Sequence, residues 1–306
     1  MTPKRNPFPR EELADSIGPV GVWTFALDPQ PAARARELVA EVEELGYGAV
    51  WIPEGFGSKE AFAHAGILLA ATNRLVVSTG IASIWARDPM AMSNGAKALA
   101  EAYPGRFLLG IGASHQVRAE GRGHEWGGKP YSKMRSYLDA MDAMPGPEIT
   151  PEAPRVLAAL GPRMLALARD RASGAHPYFV PVEHTVRARE ILGPDRLLAP
   201  EQLAVLETDP AKARAIGREF ISHYIALPNY ANNVRRLGFG DDDFAEPYSE
   251  RLVDALTAWG GAEAIRRRVL EHHEAGADHV ALQVVGEDAS EFPIRQLREL
   301  ARALLA

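Results

Sequence analysis

The segment Phe107–His115 contains the residue spacing that most strongly indicates a ligand-binding loop. Its sequence, FLLGIGASH, places Gly110 and Gly112 at the end of an apolar run, with Ser114 and His115 directly after them. A dinucleotide fingerprint, G-x-G-x-x-G, would have a third glycine where His115 stands and would pass straight into a helix. A long, polar, glycine-rich stretch follows instead. A nicotinamide site is therefore not expected, and the exposed Ser-His pair needs another explanation.

The elements that must position this loop alternate between short apolar runs and helical patterns. The apolar runs are continuous, which is typical of parallel strands covered on both faces. The predicted strands are residues 20–27, 49–53, 75–81, 106–112, 155–160, 175–180, 203–208 and 278–285. Each is followed by helical sequence, so the chain is predicted to be an α/β protein of the (β/α)8 TIM-barrel class, with an open doubly wound sheet as the rival.

The chain is expected to form a single domain over residues 1–306, because it shows no linker, internal repeat or low-complexity segment. Three stretches depart from the alternation of strands and helices and are interpreted as inserted loops, near residues 113–130, 145–154 and 227–257. The last is expected to cross the mouth or the side of the barrel.

Composition excludes several classes of function. The 34 basic and 40 acidic residues give a net charge of −6 without long basic runs, so nucleic acid is not an expected partner. There are no cysteines, and the nine histidines show no metal-ligand spacing, so no metal is expected. The histidines of residues 271–279 are interpreted as a solvated polar face. No apolar run is long enough to span a membrane, and the start of the chain has no signal-peptide core. We expect a cytoplasmic protein that acts on a small molecule.

In a TIM barrel, the carboxyl ends of the strands carry the ligand-binding residues. Strand two ends at Glu54, which could contact a ligand or cap the next helix. Strand four ends in the Gly112–His115 segment. Strand five runs into Gly161–Arg163, where free helix-start amides beside a cation could hold a phosphate, unless Arg163 is simply solvated. Strand six carries His176 and Tyr178 near its end.

Five segments, in order, resemble the bacterial luciferase-like monooxygenase superfamily, in particular the actinobacterial branch that uses coenzyme F420, an 8-hydroxy-5-deazaflavin. They are ELGYGAVWIPE (44–54), LVVSTGIASIWARDP (75–89), GRFLLGIGASH (105–115), VLAALGPRMLALA (156–168) and AGADHVALQVV (275–285). The resemblance implies a (β/α)8 barrel, usually a homodimer, with a flavin or deazaflavin at the carboxyl-terminal mouth.

The resemblance also implies a role for each strand end. It places a non-proline cis peptide between Gly80 and Ile81, behind the central ring of the cofactor. The residues that flank the ring are Gly112, Ala113, Ser114 and His115. The residues that take the cofactor phosphate are Gly161, Pro162 and Arg163, with His176 and Tyr178 beside it.

The chain departs from the family at two positions that bear on catalysis, Gly55 and His115, the second of which is a glutamate acid in another relative. Many deazaflavin members carry a catalytic histidine directly after the strand-two acid, whereas this chain has Gly55. We therefore predict His115 as the main proton donor or acceptor, with Glu54 orienting the ring or the donor and His176 in reserve.

Three functions follow from the sequence. The first is an F420-dependent oxidoreductase that moves a hydride between the cofactor and an organic substrate. The second is an FMN-dependent monooxygenase on the same fold. The third is a non-catalytic barrel that binds a flavin or another ligand, an option kept open by Gly55.

Overall fold

The computed structural model describes residues 8–143, 152–288 and 291–305. Parallel pairing connects the strands into a single curled sheet. In chain order the strands are β1 (Val20–Trp23), β2 (Ala49–Ile52), β3 (Val76–Thr79), β4 (Ala82–Ser83), β5 (Phe107–Gly112), β6 (Arg155–Leu157), β7 (Gly174–Ala175), β8 (Leu197–Leu198), β9 (Glu201–Val205), β10 (Thr257–Trp259) and β11 (Val280–Val284).

The sheet closes through one extended segment that contains both β8 and β9. Pairing runs from β9 through β11, β1, β2, β3, β5, β6 and β7 to β8. Between β8 and β9, the N–H of Ala199 donates to Ala175 O (3.0 Å), while the O of Pro200 accepts from Ala281 N–H (2.9 Å). Adjacent residues of the segment thus bond to opposite neighbours, and the predicted (β/α)8 barrel is confirmed over the doubly wound sheet.

Strands six and seven lie earlier in the chain than the sequence pattern predicts. β7 ends at Ala175 because Pro177 has no N–H to donate and Phe179 has a positive φ of 59°. The seventh barrel strand already begins at Leu197, because the sheet accommodates Pro200 between β8 and β9. The short strands β4 and β10 were not predicted.

Helices surround the barrel. In chain order they are α1 (Arg10–Ile17), α2 (Ala32–Glu44), α3 (Ala61–Leu69), α4 (Pro89–Ala102), α5 (Gln116–Glu120), α6 (Pro130–Ala143), α7 (Pro162–Arg171), α8 (Val182–Leu192), α9 (Pro210–Ile225), α10 (Pro228–Arg236), α11 (Asp241–Phe244), α12 (Glu250–Leu256), α13 (Ala262–Glu274) and α14 (Ile294–Leu304). Helix α1 has no counterpart in the sequence prediction. Its Leu13 and Ile17 join the apolar cluster inside the barrel, beside Trp51 and Leu108.

The predicted insertions have different structures. Residues 113–130 contain the short helix α5. Residues 227–257 fold into α10, α11 and α12, whose Tyr230 and Leu252 share a separate apolar cluster with Ile221 of α9. Most of the 145–154 insertion lies outside the described residues.

Two histidines predicted to lie on a solvated face are buried instead. His272 stands three residues after Val269 on the inward face of α13, and its Nε2 lies 2.8 Å from Gln202 Oε1. His279 is fully buried with its Nε2 3.0 Å from Trp51 Nε1. Burial lowers the pKa of each imidazole to about 3. The prediction was wrong because polar neighbours hid the helical spacing that buries His272 and the position of His279 directly before the buried strand β11.

Candidate functional site

A cavity of about 820 Å³ opens at the carboxyl ends of the barrel strands. Its walls come from the loops after β1, β2, β3, β5, β6 and β7 and from helix α10. The predicted site residues that line it are Glu54, Gly80, Ile81, Ala113, Ser114, His115, Gly161, His176 and Tyr178. The predicted residues Gly112, Pro162 and Arg163 lie next to it rather than in its wall.

The turn after β3 forms the floor of the cavity. The Gly80–Ile81 peptide is cis, as predicted. Gly80 O accepts a hydrogen bond from Trp23 Nε1 (3.2 Å), and a β-carbon on Gly80 would lie 2.5 Å from that nitrogen. A β-carbon on Gly112 would lie 2.5 Å from Ile81 Cγ1. Gly112 therefore lies behind Ile81 and leaves room for it.

Glu54 is paired within the wall of the cavity. Its carboxylate forms a salt bridge with Arg87, and the two side chains are only 5% and 9% exposed. It also accepts the N–H of Ser83 (2.8 Å). These contacts tie the end of β2 to the turn after β3. They fit a positioning role for Glu54, and its predicted place in catalysis stays a prediction.

His115 lies half-buried at the start of α5, beside the cavity. Its Nδ1 is 3.1 Å from Asn229 Oδ1, and its ring centre is 5.3 Å from that of Tyr230. Because an amide oxygen only accepts, Nδ1 carries the hydrogen in this arrangement and Nε2 is left as an acceptor. Burial, assisted by the positive charge of Arg118, lowers the pKa of His115 to about 4. The imidazole is thus neutral at physiological pH, and its Nε2 is available as a proton acceptor.

His176 lies deeper, beside the turn after β3. Its ring stacks on Trp51 at 4.2 Å, and its Nδ1 lies 2.6 Å from Ala199 O. Nε2 is buried without a hydrogen-bond partner among the described residues, and lies 3.3 Å from the position of a β-carbon on Gly80. Burial lowers the pKa of His176 to about 4. A neutral imidazole acceptor is therefore available at the cavity floor.

Aromatic side chains from the loop after β7 and from α9 and α10 form a further wall of the cavity. Tyr178 packs against Trp23 with ring centres 4.8 Å apart, and Tyr224 and Tyr230 pack behind it. The Tyr178 hydroxyl donates to Gln283 Oε1 (2.8 Å). Burial raises the pKa of Tyr178 well above its ordinary value, so the phenol stays protonated. This wall offers flat apolar surface to a ring-shaped ligand.

The start of α7 brings an uncapped helix end and two exposed arginines close to one end of the cavity. No side chain caps the helix at Gly161, so its first amides are not satisfied by a cap. Arg163 lies over the ring of Tyr131, 4.3 Å from its centre. The guanidinium nitrogens of Arg236 lie 3.7 and 3.8 Å from the position of a β-carbon on Gly161. Arg236 is thus a second cation here, and the sequence did not reveal it because it comes from the inserted helix α10.

The sequence of the chain matches a known protein family over most of its length. The model of the luciferase-like monooxygenase family matches residues 17–279, and the chain belongs to that family of enzymes. A Mycobacterium tuberculosis protein assigned as a coenzyme F420-dependent oxidoreductase is 24% identical, over 92% of this chain and 96% of that relative.

Solved structures share the fold. An F420-dependent secondary alcohol dehydrogenase, in complex with an F420-acetone adduct, superposes with a TM-score of 0.72 at 18% identity, covering 94% of this chain and 98% of that one. A monooxygenase from Streptomyces bottropensis superposes with a TM-score of 0.68 at 16% identity, covering 94% and 99%. At this identity the likeness establishes the barrel and not the reaction.

The described residues contain neither a membrane-spanning helix nor a cluster of metal ligands. No helix among them is both long and apolar enough to cross a membrane. Within the same residues, no three His, Asp or Glu side chains converge as metal ligands would.

Proposed function

We propose that the protein is an F420-dependent oxidoreductase that moves a hydride between the deazaflavin and an organic substrate. The observation that carries this proposal is the cavity itself, in which His115 and His176 offer neutral imidazoles beside a floor formed by Gly80 and Ile81. The full-length relative assigned to F420 supports the choice of cofactor.

The residues fit such a cofactor. A cavity of about 820 Å³ is within the range that holds ligands of this size. The unpartnered Nε2 of His176 leaves a hydrogen-bond acceptor at the floor, which Gly80 and Ile81 line. Arg163, Arg236 and the start of α7 would hold the phosphate. When bound, the deazaflavin supplies the hydride chemistry that no side chain can perform.

The protein's own contribution is to handle the proton. When a hydroxyl-bearing carbon is oxidised, the hydroxyl proton must leave as the hydride does, and His115 Nε2 accepts it. Asn229 holds the imidazole in the tautomer that leaves this nitrogen free. In the reverse direction the same nitrogen returns the proton. Tyr230 and Leu227, which line the cavity from the inserted helices, limit the access of water.

An FMN-dependent monooxygenase is the second candidate, because a monooxygenase shares the fold over almost the whole chain. An aromatic cavity of this kind accepts either ring. The family is one of enzymes, so the non-catalytic alternative is not retained.

The test measures which reduced cofactor the protein oxidises and which compound accepts the electrons. Purified protein is supplied with reduced F420 or reduced FMN, with and without dioxygen, and with a panel of ketones, aldehydes and enones. We expect oxidation of reduced F420 that requires an organic acceptor and proceeds equally well without dioxygen. Dioxygen consumption that requires reduced FMN and the organic compound would instead establish the monooxygenase.

We also propose, from the family resemblance, that the enzyme works as a homodimer in the cytoplasm on a small-molecule substrate. Light scattering after size-exclusion chromatography measures the mass in solution, which we expect to be twice that of the 33.2 kDa chain. A single-chain mass across the working concentration range would contradict the dimer.

A further inference from the structure

The space beside Gly55 in the cavity wall is filled by the guanidinium of Arg118. A β-carbon on Gly55 would lie 2.7 Å from Arg118 Nη1 and 3.9 Å from Cζ, so any side chain at position 55 would displace the arginine. Gly55 itself is held by a hydrogen bond from its N–H to Ser58 Oγ (3.0 Å). Both Gly55 and Arg118 line the cavity.

An aromatic ring supports the arginine from outside. Cζ of Arg118 lies 5.9 Å from the centre of the Phe56 ring, which packs on Gly121 of the same inserted loop. Cζ of Arg122 lies 6.0 Å from the same ring, but Arg122 is exposed and does not line the cavity. Arg118 is therefore the member of this arginine pair that faces the cavity.

The charge of Arg118 is not neutralised within the protein as described. Of the two acidic residues in the cavity wall, Glu54 is paired with Arg87, and Glu120 is exposed and accepts a hydrogen bond from Gln116 (2.8 Å). Across residues 8–143, 152–288 and 291–305, no carboxylate forms an ion pair with Arg118. A cation held against apolar walls favours an anionic ligand, because the ligand restores the electrostatic interaction that burial removes.

This cation is well separated from the end of the cavity proposed for the cofactor phosphate. Gly55 follows β2, whereas Gly161 follows β6, and β3 and β5 lie between those strands in the sheet. Arg118 also lies on the same short helix as His115, with its N–H bonded to His115 O (3.0 Å). The anion bound by Arg118 therefore belongs beside the proton acceptor.

We propose that Arg118 is a specificity-determining residue that binds a carboxylate of the substrate, so that the enzyme acts on organic acids. This inference rests on the proposed function for the reaction, and adds the class of substrate. A guanidinium pairs with a carboxylate through two parallel N–H···O bonds, which fixes the orientation of the bound molecule as well as its position. The carbon to be oxidised or reduced would then lie near His115.

The test compares a carboxylate probe with its neutral counterpart. Binding of benzoate and of benzamide is measured by calorimetry on the protein alone and on the protein saturated with F420. We expect benzoate to bind at least about tenfold more tightly, as a charge-assisted contact predicts. Arg118→Gln should remove this preference, Arg118→Lys should keep part of it, and the matched control Arg122→Gln should leave it unchanged.

Three outcomes would overturn the proposal. They are equal binding of benzoate and benzamide by the unmodified protein, an unchanged preference in Arg118→Gln, and a loss of F420 affinity in Arg118→Gln with the benzoate preference intact. The last would show that the arginine serves the cofactor's own anionic groups. Failure of F420 to bind would contradict the proposed function. The benzoate preference would still be decided, because it is also measured on the protein without F420.

A second variant changes Gly55, the residue against which the Arg118 guanidinium lies. Gly55→His would place a side chain where the guanidinium lies, and should reduce the benzoate preference as strongly as Arg118→Gln does. Thermal unfolding of each variant establishes that it is folded. A folded Gly55→His variant with full preference for benzoate would contradict the inference that benzoate binds to Arg118 in its position beside Gly55.

Discussion

His115 is the residue on which the proposed proton transfer depends. We expect His115→Ala to lower the rate of single-turnover hydride transfer by about 10²–10⁴-fold, the usual contribution of general acid–base catalysis. Asn229→Ala should cause a smaller loss, because it releases the imidazole without removing it. As a control, His115→Ala must bind F420 with the affinity of the unmodified protein. A hydride-transfer rate in His115→Ala within a few-fold of the rate of the unmodified protein would show that another group transfers the proton.

The pH profile distinguishes a neutral His115 from an ordinary one. With its pKa lowered to about 4, the imidazole is a base at all higher pH values and becomes protonated only as the pH falls through about 4. In the direction that releases a proton, the rate should therefore show no limb from His115 near pH 6.5. A limb near pH 6.5 that disappears in His115→Gln would contradict this.

Arg163 and Arg236 should contribute independently to holding the cofactor phosphate. Each charge-assisted contact is worth about 1.5–3 kcal/mol, so Arg163→Ala and Arg236→Ala should each weaken F420 binding by about tenfold or more. The matched control is Arg169→Ala, at the other end of α7, where the arginine pairs with Asp170. If both variants keep the affinity of the control, the phosphate does not bind at this helix.

At the scale of elements, β5 and the turn after β3 form one packing unit. A β-carbon on Gly112 would lie 2.5 Å from Ile81 Cγ1, so Gly112→Ala should push Ile81 into the cavity and cost about 1–3 kcal/mol of stability. We expect F420 affinity to fall with it. Gly66→Ala, in helix α3 with 3.6 Å of clearance, is the control and should keep full affinity. An unchanged F420 affinity in Gly112→Ala would show that the turn after β3 does not contact the cofactor.

The sequence predicted those elements whose pattern is local. The strand predicted over residues 106–112 matches β5 to within one residue, because a continuous apolar run specifies it. β8 and β9 were predicted poorly, because only pairing with neighbours on both sides keeps the strand extended through Pro200. The same limit applied to the site. His115 directly extends a strand, so the sequence indicated that it lies at the mouth, where the structure places it. Asn229 and Arg236 come from an insertion that reaches the mouth only in the folded protein.

At the scale of the whole molecule, burial of neutral histidines should make the protein sensitive to acid. Burial lowers the pKa values to between about 3 and about 4 for His115, His176, His184, His272 and His279. The unfolded chain binds these protons near pH 6.5 and the folded chain does not. The stability that these histidines contribute is therefore complete above pH 6.5 and is lost as the pH falls from there towards their folded-state pKa values.

Urea unfolding between pH 5 and 7 measures this loss. The slope of unfolding free energy against pH gives the number of protons taken up on unfolding, and His272→Gln should lower that number by close to one at pH 5. Glutamine can still hydrogen-bond to Gln202, whose Oε1 contacts His272. An identical slope in the variant would mean that His272 is not held neutral by its burial.

Competitive binding of F420 and FMN tests the central claim most directly, because it requires no knowledge of the substrate. Trp23 and Trp126 line the cavity, so a ring bound there should quench tryptophan fluorescence. We predict saturable quenching by F420, a tighter dissociation constant for F420 than for FMN, and displacement of FMN by F420. Tighter binding of FMN, or quenching by FMN that F420 cannot displace, would contradict the assignment of this protein as a deazaflavin enzyme.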